Sequence, residues 1–333
     1  MAQMKYYYEL TVSSSPHAHQ EHTTKTIMRD VLIALVPALV FAVYNFGFRA
    51  LTVTAVSVLA CYGFEKLWNI LMKKHDKTYD LSACVTGVLL AFVCPVTVAY
   101  WQIIIGAAIA IILVKMLFGG LGRNVVNPAL TGRAFMMSWP VAMSTWVLPG
   151  LKNAASAFSV ADIATGATPL ANMHQGLMPA ESWTQLFWGN IGGCIGETSA
   201  LMLLLGLVYL LARKVIKVTI PASYIGTVAV LTLLFPQGNN NFDWMLCQIF
   251  GGGLMLGAIF MATDYVTSPL TAKGQLIYGI GCGALTVMIR YFGGYNEGVS
   301  YAILIMNTCV VLLDRIGRPV KFGAPDIKKE AAK

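Results

Sequence analysis

The stretch Asp162-Ile-Ala-Thr165-Gly166-Ala167-Thr168-Pro169 joins an acidic residue, two small residues and a hydroxyl set just before a proline. Proline disfavours the helical conformation in the residue before it, so Thr168 is expected to be extended, with its side chain held out from the chain. Gly166 and Ala167 would let another protein's active site approach the backbone closely. Asp162 could offer that visitor a charge or a metal ligand. The pattern suits the substrate of a modifying enzyme. Thr, Gly and Pro are also ordinary turn residues, and a plain β-turn would use the same letters.

Three further places carry polar chemistry. In Gly119-Gly-Leu-Gly-Arg-Asn124-Val-Val-Asn127-Pro128 the two asparagines stand three apart and can share one face of a turn. Their amides donate and accept, which suits the uracil-like edge of a flavin ring, although turn work alone would also explain the loop. Glu197 lies in Gly192-Gly-Cys-Ile-Gly196-Glu197-Thr-Ser199, which is expected to open a membrane helix. A carboxylate in an apolar segment is costly and marks an ion or cofactor site unless a neighbouring helix satisfies it. Asp264, before Tyr265-Val-Thr-Ser268-Pro269, is either a site residue or a helix cap. Glu65, beside Lys66 near a helix end, reads as an interfacial ion pair. His17, His19 and His22 in the N-terminal arm read as solvated residues, and no metal site is expected. The seven cysteines fall in apolar segments without a CxxC pair, so packing is their expected role.

Composition says what must position these residues. The chain has 333 residues, 57% hydrophobic and 11% charged, against about 25% charged in a soluble domain. It is therefore read as an all-α polytopic membrane protein. A spanning helix needs about 20 largely apolar residues. Ten segments qualify: 28–46, 50–71, 81–98, 100–118, 130–147, 187–211, 219–236, 244–262, 275–292 and 298–314. With the N-terminus in the cytoplasm, every Lys and Arg except Arg49, Lys152 and Arg290 falls on the cytoplasmic side. Both termini are then cytoplasmic and Thr168 faces outward. The net charge of +8 belongs to this asymmetry and not to nucleic-acid binding. The first 26 residues are polar and hold no apolar core of the signal-peptide kind.

Pro95 stands as far before Pro128 as Pro236 stands before Pro269. Two five-helix repeats would be inverted, because five is odd, and such a plan places ligand sites at the repeat interface. The expected organisation is an arm (1–26), a first transmembrane repeat (27–147), an outer loop with the threonine motif (148–186), a second repeat (187–314) and a basic tail (315–333).

The motif Asp162-x-x-Thr165-Gly166-Ala167-Thr168 resembles the flavinylation signature of the Rnf and Nqr membrane oxidoreductases. Ser15-Pro16-His17 in the arm, the Asn124/Asn127 loop and Gly193-x-x-Gly196-Glu197-Thr198-Ser199 are similar to elements of the same family, which unites the D component of Rnf with the B component of Nqr. The short arm and the wording Thr165-Gly-Ala-Thr-Pro-Leu170 lie closer to the Rnf branch, with the Nqr branch as the alternative. The resemblance implies a urea-transporter-like fold and FMN joined to Thr168 by a flavin transferase. It also implies a second, non-covalent flavin such as riboflavin at Asn124 and Asn127. The implied activity is electron transport between ferredoxin and NAD coupled to Na+ or H+ translocation, in the bacterial cytoplasmic (inner) membrane. The implied partners are the other Rnf components: A and E in the membrane, flavoprotein G, and C and B in the cytoplasm. Glu197 and Asp264 would then be candidates for the ion path. A passive channel on the same helical plan is the competing class, and it would have no use for the motif.

Overall fold

The computed structural model of the protein describes residues 23–73, 78–139, 143, 145–147, 165–166, 168–238 and 240–316. Residues 1–22 with the arm's histidines, residues 148–164 and 167 of the outer loop with Asp162 and Ala167, and residues 317–333 of the tail lie outside the described residues.

The chain is mostly helical. Two long helices, α1 (Thr24–Phe46) and α2 (Phe48–Leu71), meet at Gly47, whose φ of 78° suits a residue without Cβ. Then come α3 (Ser82–Phe92), α4 (Tyr100–Met116), whose second half is π-helical, and the short α5 (Pro128–Met136). Two-residue strands β1 (Trp146–Val147) and β2 (Thr165–Gly166) pair antiparallel, so the first threonine of the motif is tied to the end of the first half of the chain. Two short helices, α6 (Pro169–His174) and α7 (Trp183–Trp188), precede α8 (Ala200–Ala212) and α9 (Thr219–Leu234). The second half closes with α10 (Asn241–Phe250), α11 (Leu254–Met261), α12 (Ala272–Phe292) and α13 (Val299–Ile316).

By length and composition α1, α2, α12 and α13 can each cross a membrane. The bent pair α10–α11, kinked by 61°, would make one more span. Their outward faces carry exposed Val36, Val40, Leu59, Ile70 and Met288. In water such surface would be a liability; against lipid it costs nothing. α1 packs on α8, α2 on α3 and α4, and α9 on α12.

Each of the ten expected segments contains a helix, but four are shorter or broken. The segment at 81–98 stops helically at Phe92, with Pro95 following. That at 130–147 stops at Met136, that at 187–211 starts only at Ala200, and that at 244–262 breaks at Gly251-Gly-Gly253. Hydropathy cannot see these breaks, because apolar residues flank the glycines and proline. The freed backbone groups are satisfied inside the protein, as a membrane requires. Arg49 Nε and Nη2 donate to the carbonyls of Val96 (2.9 Å) and Val98 (3.2 Å). Arg290 does the same for Gln248 (2.5 Å) and Gly251 (3.1 Å). These are two of the three basic residues that the sidedness pattern left on the outer side. They are buried caps of broken helices and do not belong to surface charge at all.

The non-helical stretch 189–199 packs along the break after α3. Ile195 N–H donates to Cys94 O at 3.0 Å and Gly196 N–H to Phe92 O at 2.9 Å. At Gly196 a Cβ would fall on the Phe92 ring. The expected helix start at Gly192 is thus replaced by an extended, glycine-dependent contact. A smaller apolar cluster of Leu170, Met173, Leu186, Ile191, Trp244 and Cys247 holds α6 and α7 against α10.

Candidate functional site

Five of the expected site residues line two cavities joined by α5. The first, of about 80 Å³, is lined by Asn124, Asn127 and Asp264 together with Ser82, Thr86 and Lys115. The second, of about 240 Å³, is lined by Thr168 and Glu197 together with Gly192, Gly193, Arg133 and Glu297. Asn127 caps the start of α5 and Arg133 sits in its last turn. Six residues of helix separate them by about 9 Å along the axis. α11 runs the other way, from Gly253 beside the larger cavity to Met261, whose carbonyl accepts from Asn127 Nδ2 at 3.4 Å.

In the larger cavity, Thr168 is extended (φ −71°, ψ 153°), as the following proline demands. It is the N-cap residue of α6, yet its side chain makes no capping hydrogen bond, so the hydroxyl is not spent on the helix. Thr165 and Gly166 reach the same region through the β1–β2 pair. Gly192 passes so close to the Val147 carbonyl that a Cβ there would stand 2.9 Å from the oxygen. Tyr295 and Tyr301 line the wall with ring centroids 4.9 Å apart.

At the base, Arg133 donates to Glu297, to Ser300 Oγ at 2.7 Å, and stands 3.7 Å from Glu197 Oε1. Glu297 Oε1 also accepts from the Gly253 N–H at 2.9 Å, the first free amide of α11, where the helix dipole favours an anion. Arg290 Nε reaches the Glu297 carbonyl at 3.2 Å. His174, at the end of α6, bonds through Nδ1 to the Arg290 carbonyl at 2.7 Å. The threonine-bearing helix, the broken helix and the acidic base are therefore one connected assembly. Arg133 Nε and Glu197 Oε1 are buried without a hydrogen-bond partner among the described residues.

In the smaller cavity, the asparagines share a wall as their spacing suggests, but they are partly occupied. Asn127 Oδ1 accepts from the N–H groups of Ala129 (3.0 Å) and Leu130 (3.3 Å), an N-cap of α5. Asn124 Nδ2 donates to the Val126 carbonyl at 3.3 Å. Asp264 accepts from the Thr267 hydroxyl at 3.0 Å. These bonds show the structural work of the three residues, which also line the cavity.

Lys115 Nζ bonds Glu65 Oε2 at 2.7 Å and Ser82 Oγ at 2.6 Å, and both charged side chains are buried. This corrects the expected Glu65–Lys66 interfacial pair. Lys66 follows Glu65 directly, so the two point from different faces of α2. α4 instead brings Lys115 across. Lys115 and Arg133, counted by sequence among the cytoplasmic charges, are interior residues.

Sequence reasoning passed over Arg133, Glu297, Tyr295 and Tyr301. Glu297 sits in the polar turn Gly293-Gly-Tyr-Asn-Glu-Gly298, and nothing local separates it from a solvated loop acid. The signal that could have flagged Arg133 is a lone arginine inside a segment otherwise apolar enough to span.

The fold and these sites are those of a multi-pass membrane protein with broken helices meeting around polar cavities. The family described as NQR2, RnfD, RnfE matches residues 11–323, and the chain belongs to that family. It is 46% identical over 329 residues to the D subunit of the Na(+)-translocating ferredoxin:NAD(+) oxidoreductase complex of Acetobacterium woodii, covering 97% of this chain and 98% of that one. It is 42% identical to the D subunit of the proton-translocating ferredoxin:NAD(+) oxidoreductase complex of Clostridium ljungdahlii, covering 94% and 96%. The D subunit of the ion-translocating oxidoreductase complex of Stutzerimonas stutzeri is 37% identical, covering 89% and 91%.

Proposed function

We propose that this chain is the D-type component of an Rnf complex, carrying electrons between ferredoxin and NAD with coupled movement of Na+ or H+. In this reading a flavin transferase esterifies Thr168 with FMN on the outer side of the cytoplasmic membrane. The observation that carries it is the Thr168 hydroxyl, which makes no capping hydrogen bond, at a cavity of about 240 Å³. The residues there fit such a group: Arg133 Nε, unpartnered among the described residues, lies beneath, aromatic Tyr295 and Tyr301 stand at the side, and glycine backbone lines the wall. The flavin supplies the redox chemistry itself. The chain's part is to fix it by one covalent bond, to hold its ring between tyrosine and glycine surfaces, and to keep it from leaving into the external medium. Asn124 and Asn127 would present amides to a second flavin, with their capping bonds setting how many donors remain free. Glu197 and Asp264 would serve the ion path. The ten spans would form two inverted five-helix repeats with both termini in the cytoplasm, beside the A, E, G, C and B components of the complex.

Ultraviolet fluorescence of the denatured protein band tests the central point. Co-expressed with the transferase, the wild type should glow and Thr168→Ala should be dark. A mutant band as bright as the wild type would move the attachment site elsewhere. The passive-channel reading predicts no fluorescence in either. The B component of an Nqr complex would glow as well, and is separated by which proteins co-purify.

A further inference from the structure

We infer that Glu197 and Glu297 form a one-charge site, a buried carboxyl pair that holds a single exchangeable monovalent cation, proton or sodium, beneath Thr168. This deepens the reading of Glu197 as an ion-path residue, and it does not depend on Thr168 being modified.

The two carboxyl groups crowd together at Gly253. A Cβ built there would collide with Glu197 Oε1 and Glu297 Oε1 together, so the two oxygens converge on one backbone notch that only glycine leaves open. Glu197 is 6% exposed and the Glu297 side chain 17%, so both carboxyl groups are largely withdrawn from solvent. Two carboxylates sharing a site in low dielectric do not both ionise without compensation. Compensation here is one arginine. The charged and titratable groups facing the pair are Arg133 from α5, Arg290 from α12, Cys194 from the 189–199 stretch, and Tyr295 and Tyr301 beside α13. Arg290 gives its guanidinium hydrogens to carbonyls and to the Gln248 amide oxygen, and caps the helix break with them.

Geometry also separates the two acids. Glu297 takes the direct Arg133 contact and the Gly253 N–H at the start of α11, two interactions that favour its anion. Glu197 Oε1 stands 3.7 Å from Arg133 Nη1, with the Glu297 carboxyl and the Cys194 thiol as near neighbours, and meets no donor at hydrogen-bond geometry among the described residues. Glu297 is therefore the fixed anion, and Glu197 is the oxygen that must carry a proton or coordinate a cation. Because the site faces the Thr168 cavity, charge placed in that cavity acts on the same cation across a few ångströms of low dielectric. Exchange is balanced: each sodium ion that enters releases one proton to the cavity, and the reverse.

Infrared spectra of the purified complex test this, with carboxylic-acid C=O absorption as the readout. In sodium-free buffer the wild type should show an acid band that shifts in D2O and is absent in Glu197→Gln, a nearly isosteric change. Glu297→Gln should also remove or displace it, because the remaining acid then ionises against Arg133. Sodium added against a choline control divides the two occupants. Bleaching of the band identifies sodium as able to replace the proton, and persistence identifies the proton alone. Thr168→Ala should keep the band, so this result and the fate of the flavinylation reading are separable. A wild-type spectrum in sodium-free buffer with no band attributable to residue 197 or 297 would mean both acids are ionised and would overturn the proposal. Co-purification of the partner proteins verifies that each variant is assembled.

Discussion

The two cavities differ in how their buried charges are balanced. In the smaller one Lys115 closes a direct pair with Glu65 at 2.7 Å and gives a further ammonium hydrogen to Ser82, while the other acid on its wall, Asp264, is held by the Thr267 hydroxyl. The larger one sets a single arginine against two glutamates and leaves two polar atoms unpartnered among the described residues. A balanced pair holds helices together and has no reason to change state. An unbalanced triad has a vacancy for charge and responds to whatever arrives. On the one-charge-site proposal, the contrast separates a structural ion pair from one that exchanges a cation, even though burial alone makes them look alike.

Breaking the triad should have the largest effect. Arg133→Met strands Glu297 and Glu197 with no facing guanidinium except Arg290. Removing one partner of a buried pair typically costs about 3–5 kcal/mol, and here two acids lose their partner. We expect loss of assembled complex on size exclusion, recovered in part by adding Glu297→Gln. Undiminished assembly of the single variant would mean that both acids are already neutral.

Next comes the balanced pair. Lys115→Met should destabilise by about 3–5 kcal/mol for the same reason. Here, however, the double change Lys115→Met with Glu65→Leu should restore most of the thermal stability, because it removes the pair with its whole charge. If the double variant melts no higher than the single one, the Lys115–Glu65 contact does more than join α2 to α4.

The smallest change sharpens the asparagine wall. Asn127→Ala removes the N-cap of α5 at about 1 kcal/mol and should release extractable flavin while leaving the covalent flavin in place. Asn127→Asp keeps the capping acceptor and loses the amide donors. Wild-type stability with lost flavin would assign the donors to the ligand. Retention of flavin in Asn127→Asp would leave Asn127 a cap only. Asn124→Ala serves as the comparison, since Asn124 caps no helix.

How far the letters alone carried is clearest residue by residue. The backbone at Thr168 is dictated locally by Pro169, and the structure agrees because that steric rule needs no tertiary partner. Asn127 heads a helix because Asn-Pro is a strong start signal. The same local reasoning misplaced Lys115, Arg133 and Glu65. A charge near the end of an apolar run has one sequence signature whether it points to water or inward to a partner fifty or more residues away.

Composition and spacing thus determined that the chain lives in a membrane and roughly where its apolar helices lie, and they singled out a threonine, two asparagines and two acids that line cavities. These follow from lipid's intolerance of polar groups and from contacts between near neighbours in the chain. Tertiary structure alone decided where the helices break, that Arg49 and Arg290 are the caps of those breaks, and that Glu297 and Arg133 meet Glu197 beneath Thr168. Each of those facts depends on groups from distant parts of the chain satisfying one another in a low-dielectric interior, and no local pattern encodes which distant group will arrive.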